Sequence, residues 1–138
     1  MSIWTHVTGS VRFVDFAVQD GVISELDRDY YYIFGKECTC HSSKDARKDA
    51  RQNPDDYMPM GSEGSLRRSM YNAGDCVIVS VFGDLRDYSR PEEIINWFKK
   101  SLKILNDGCI IRQAVITVSC DIYDEAVTYT YGGEGNDI

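Results

Sequence analysis

Positive charge is what this sequence has least of: 15 Lys and Arg stand against 22 Asp and Glu, a formal net charge of −7. That balance argues against a general nucleic-acid coat or a binder of anionic membranes, both of which depend on net positive charge. It leaves room for one small basic pocket within an acidic whole. Histidine is scarcer still, with only His6 and His41. Nucleophilic catalysis needs a base held beside a nucleophile, and neither histidine sits in a recognisable motif. Phosphate-cradling and dinucleotide-binding glycine fingerprints are missing, as are internal repeats. No apolar run is long enough to span a bilayer. The opening residues have no basic stretch followed by an apolar one, so a secretory leader is not expected. The expectation is a protein that is not an enzyme, has no cofactor and stays off the membrane.

What is present suits one domain. The 138 residues, with 43% hydrophobic and 27% charged side chains, can bury a core without staples. Five cysteines, an odd number, are expected to be reduced thiols. Cys76, Cys109 and Cys120 lie in apolar, strand-like contexts and read as small core residues. Cys38-Thr39-Cys40-His41 has metal-ligand types, but its spacing is not that of a zinc pair and no second cluster follows. No metal site is assigned.

Residues 3–14 alternate, with Ile3, Thr5, Val7, Val11 and Phe13 on one face and Trp4, His6, Thr8, Ser10 and Arg12 on the other, which predicts a long strand. Gly9 in its middle suggests a bulge or a close backbone approach. Leu26, Tyr30, Ile33 and Phe34 fall at helical spacing and Gly35 sits at a C-cap position, predicting a helix over 25–34. Residues 36–60 are polar and read as an insertion or mobile loop, with a helical turn or two at Lys44–Arg51. Strands are predicted at 65–71 and 76–82, joined by a turn at Asn72-Ala73-Gly74-Asp75. Ser89 and Glu92 form a capping box for a helix whose apolar stripe is Ile94, Ile95, Phe98, Leu102 and Leu105. Cys109–Cys120 and Ala126–Tyr131 follow as strands. The order predicts an α+β fold: a ferredoxin-like antiparallel sheet (βαββαβ plus a C-terminal strand), with two helices on one face. The other face, bearing Trp4, His6 and Arg12, is left for a partner or for solvent.

The candidate site begins at Gly61-Ser62-Glu63-Gly64-Ser65-Leu66-Arg67-Arg68. Glycines let backbone N–H groups converge, hydroxyls add donors and arginines add fixed charge, the ingredients of an anion nest. Arg67 and Arg68 project to opposite faces of a strand, so at most one lines a given pocket. A second loop, Gly83-Asp84-Leu85-Arg86-Asp87-Tyr88, offers Arg86 as a phosphate partner and Tyr88 as a ring, although Arg86 can equally pair with Asp84 or Asp87.

The opening Met-Ser-Ile-Trp-Thr-His-Val with Gly9 and Arg12, the Gly-Ser-Glu-Gly-Ser-Leu of 61–66 and the Gly-Asp-Leu-Arg-Asp-Tyr of 83–88 resemble a widespread group of small phage proteins. Ile-Ile-Asn-Trp-Phe-Lys-Lys at 94–100 and Arg112-Gln113-Ala114 add to the likeness, which spans most of the chain except 36–58. We connect that group with the phage anti-CBASS sponge family. The resemblance implies a homo-oligomer (dimer or tetramer) in the host bacterial cytoplasm. It would sequester a cyclic dinucleotide such as 3′3′-cGAMP without cleaving it and would not bind nucleic-acid polymers. A ligand with two phosphates and two bases calls for cations, N–H donors and flat rings. The candidates are Ser62, Gly64 and Ser65 as donors, Arg67 and Arg86 for phosphate, and Trp4 or Tyr88 for stacking. The alternative is an acidic DNA mimic that blocks a host defence nuclease, of the anti-CRISPR or anti-restriction type. Its acids would be Asp84, Asp87, Glu92, Glu93, Asp121, Asp124 and Glu125.

Overall fold

The structure, a computed structural model, describes residues 2–16, 31–38 and 44–132. Five strands form one antiparallel sheet: β1 (Trp4–Val14), β2 (Arg67–Asn72), β3 (Val77–Arg86), β4 (Ile110–Cys120) and β5 (Val127–Gly132). Their order is β2-β3-β1-β4-β5. The helices are α1 (Tyr31–Phe34), α2 (Lys44–Gln52) and α3 (Pro91–Asn106), with a short 3-10 turn at Pro54–Asp56. This is an α+β architecture. Residues 25–30 of the first predicted helix lie outside the described residues, and Tyr31–Phe34 is the part seen.

The alternation in β1 sorts the molecule into layers. Thr5, Val7, Val11 and Phe13 are buried while His6, Thr8 and Arg12 are exposed. The buried face meets Val77, Val79, Val81 and Leu85 of β3 and Ala114, Ile116 and Val118 of β4, under Ile94, Ile95, Phe98, Leu102 and Leu105 of α3. Burying five such helix side chains contributes about 1.5–3 kcal/mol each before conformational entropy is charged. Gly9 is a close approach: a Cβ there would lie 2.9 Å from the Val115 carbonyl oxygen. The register shift falls instead between Arg12 and Phe13. Cys76 and Cys120 are buried and Cys109 is half-buried.

Three local expectations need correction. The α3 N-cap is Arg90, without a side-chain cap, and Pro91 opens the helix, so the Ser89–Glu92 capping box does not form. Proline's fixed φ starts the helix one residue later than the hydroxyl signal implied. Strand β3 runs on to Arg86 instead of ending at 82, because the in-out alternation continues through buried Leu85. The 83–88 segment is therefore largely strand. The polar 36–60 stretch is also docked where described. Cys38, Ala50 and Met58 are buried, and Lys36 N–H and Met58 N–H donate to the Asp56 and Lys36 carbonyls at 3.0 and 2.8 Å. A few anchors suffice to hold a segment whose composition is mostly polar. Thr39, Cys40 and His41 lie outside the described residues.

Candidate functional site

The two candidate loops meet. Gly61–Ser65 folds against the end of β3, where Ser62 N–H donates to the Arg86 carbonyl (2.9 Å) and Arg86 N–H to the Glu63 carbonyl (3.0 Å). The approach demands glycine. A Cβ on Gly61 would sit 2.2 Å from the Arg86 carbonyl oxygen, and one on Gly64, at φ +77°, would sit 2.1 Å from that of Asp84.

The contact also consumes the groups that an anion nest would need. Gly61 N–H donates to the Gly64 carbonyl at 3.1 Å. Ser62 Oγ donates to the Asp87 carboxylate at 2.7 Å, and Asp87 itself is held in the left-handed region at φ 56°. Arg86 pairs with Glu63 at 2.7 Å and donates from Nε to Ser2 Oγ at 2.9 Å. Ser65 is buried: its hydroxyl donates to the Leu66 carbonyl and accepts from Cys38 N–H. Tyr88 is buried as well, and its hydroxyl donates to Glu93 at 3.2 Å. Burial first, then the Glu93 charge, pushes its phenol upward, so it stays neutral. The loop pair is a clamp closed on itself. Ser62, Gly64, Ser65 and Arg86 come together as structure, whereas the Tyr88 side chain packs toward Glu93 and Arg90 at the start of α3.

Arg67 and Trp4 lie elsewhere. Arg67 is exposed on the sheet face opposite α3, and no described residue pairs with its guanidinium. Arg68 turns the other way, donating from Nη1 to the Gly35 carbonyl at 3.0 Å. In register with Arg67 stands Phe82 and, one strand further, Thr8. Directly opposed residues in antiparallel strands share a face, and Phe82 is 44% exposed. A parallel row sets Tyr71, Ile78, Arg12 and Gln113 side by side, with Tyr71 65% exposed. Between them runs a hydroxyl-rich row, Ser69, Ser80 and Ser10. Half-buried Trp4 lies on the same face, nearer the end of β3.

That end of the face is acidic. His6 bridges Asp84 (2.8 Å) and Asp121 (2.9 Å) through its two ring nitrogens. Those hydrogen bonds, Asp84's the larger, raise its pKa.

Phe82 and Tyr71 were not among the candidates from sequence. Residues 76–82 are strongly apolar, and that composition hides an alternation that exposes Phe82 and half-buries Ile78 and Ser80. Comparison with protein families, curated proteins and solved structures gives no match to this chain. No described helix is long and apolar enough to cross a membrane.

Proposed function

We propose that this protein binds and sequesters a cyclic dinucleotide second messenger without cleaving it, and does so on its open sheet face. The setting is the cytoplasm of a phage-infected bacterium, where capture of the signal blunts host defence. One observation carries the reading: Arg67, which no described residue pairs, stands beside exposed Phe82 on a sheet face that also presents Arg12 and Tyr71 and that no described helix covers. A guanidinium forks onto a phosphate, and a flat sheet bearing aromatic rings is a proven way to stack bases. A capturing protein needs nanomolar affinity, on the order of −12 kcal/mol. One flat face encloses a small ligand poorly, so a second protomer closes over it, and the protein is a homo-oligomer. The scaffold proposed for this face is a ferredoxin-like βαββαβ unit extended by a strand, a reading supported by β1 lying between β3 and β4.

The test is capture and release. Purified protein is mixed with 3′3′-cGAMP, depletion of free ligand is measured, and the complex is then denatured by heat. Intact ligand should return to solution. Degraded ligand would make the protein an enzyme, and no depletion would remove the proposal.

A second reading has one observation behind it. Asp84, Asp87, Glu92, Glu93, Asp121, Asp124 and Glu125 are all exposed and cluster at one end of the sheet, as a mimic of DNA phosphates requires. Several are already engaged, Asp84 and Asp121 by His6 and Asp87 by Ser62, which weakens it. Salt-sensitive pull-down of a host nuclease would favour it.

A further inference from the structure

On the helix side of the sheet, away from the open face, α3 and residues 50–60 enclose a groove of about 450 Å³. That falls within the roughly 300–1,000 Å³ of small-molecule sites. Three rings line it: Tyr57, Tyr88 and Trp97. Each has its polar atom already satisfied. Tyr57 OH donates to Asp49 at 2.6 Å, Tyr88 OH to Glu93 at 3.2 Å, and Trp97 Nε1 to the Phe34 carbonyl at 3.0 Å. The hydrogen bond to Asp49 pushes the Tyr57 phenol up to about 12. Half-buried Tyr57 and Trp97 offer neutral ring surface, while Tyr88 is buried in the wall with Arg90 lying over its ring.

The charged groups are not satisfied in the same way. Arg51 and Lys100 line the groove, and among the described residues neither has an ion-pair partner. Lys100 also opens into an adjoining hollow shared with Asn96, Lys99 and Lys103, which no carboxylate lines. Glu93 is taken up by Tyr88 and by Arg90 at 3.4 Å. Asp55 is the groove's other carboxylate, and among the described residues its side chain has no partner.

An acceptor-only carboxylate, neutral rings and a cationic outlet form a specific set. We propose that this groove is a second ligand site, for a guanine nucleotide. The base lies against the rings and turns its adjacent N1–H and 2-amino donors to Asp55, while the phosphate reaches Lys100 and the lysine-lined hollow. Adenine offers a donor beside an acceptor on that edge, and the acceptor would oppose the carboxylate. Hypoxanthine keeps the ring N–H but loses the amine.

Calorimetric titration of the full chain with GMP and IMP tests this. GMP should bind saturably and more tightly than IMP. Lys100→Ala should weaken GMP about tenfold or more, as expected for loss of a charge-assisted phosphate contact. Asp55→Asn should erase the preference over IMP. Both positions are exposed, so thermal unfolding of the variants should match the parent. No GMP binding at millimolar concentration overturns the proposal, as does equal affinity for IMP or unchanged affinity in Lys100→Ala. The open-face reading stands or falls separately. Capture of cyclic dinucleotide that depends on Arg67, with no GMP binding, keeps that reading and removes this one.

Discussion

Arg86, at the end of β3, and Arg67, at the start of β2, lie on adjacent strands and have opposite fates. Arg86 is enclosed by Glu63, Ser2 and the backbone of the 61–64 turn. Arg67 stands on the opposite face from α3 beside Phe82, and no described residue engages its guanidinium. Residue types say which chemistry is available; the partners decide whether it has been used within the fold. A glycine-rich, arginine-bearing turn is equally good at holding an anion and at holding the neighbouring strand. Here the turn holds β3, and the proposed ligand site lies instead on the sheet face that carries Arg67 and Phe82.

This contrast can be broken by substitution. The largest effect is expected at the clamp. Gly64→Ala places a Cβ against the Asp84 carbonyl at a positive φ and should cost about 2–4 kcal/mol of stability. Chemical denaturation measures it, and a change within experimental error would mean that the turn is not anchored as described. Next, Arg67→Ala should weaken cyclic-dinucleotide capture by about 1–3 kcal/mol, the worth of a charge-assisted contact, while stability moves by less than about 0.5 kcal/mol. Unchanged affinity would clear Arg67 of the role. Arg86→Ala inverts that pattern: its ion pair is half-exposed, so a loss of about 0.5–1 kcal/mol in stability is expected. A selective loss of ligand affinity there would return the site to the loops.

The smallest effect is at His6. Its pKa is raised from 6.5 by hydrogen bonds to Asp84 and Asp121, so the stability it contributes is complete below about pH 6.5 and lost as pH rises through the higher folded value. The pair is solvent-exposed and worth at most about 1 kcal/mol. The stability difference between the parent and His6→Ala should shrink as pH rises from about 5.5 to about 8.5, a range that brackets the ordinary histidine value. A difference constant across that range would contradict the bridge.

Much of the scaffold was legible in the sequence. The period-two pattern of β1 and the apolar stripe of α3 each bury one face, and those faces are the ones found in the core. Capping was less so, because Pro91 and Ser89 compete to start the same helix and only packing settles which prevails. The 36–60 segment misled for a related reason: Cys38, Ala50 and Met58 are too sparse to register as a core pattern, yet each is buried. The site was legible in composition and hidden in its pairing. Gly61 and Gly64 do mark a close approach, but the approaching group is the β3 backbone. Phe82 was hidden by its apolar neighbours, since one exposed ring in an apolar strand shows itself only once the covering layer is known to lie on the other side.

Amide chemical-shift mapping with 3′3′-cGAMP tests the central claim most directly. Binding on the open face predicts the largest shifts at Thr8, Arg67 and Phe82, with the Gly61–Gly64 turn and Arg86 little changed. Shifts confined to that turn and the end of β3, or none at saturating ligand, would contradict it.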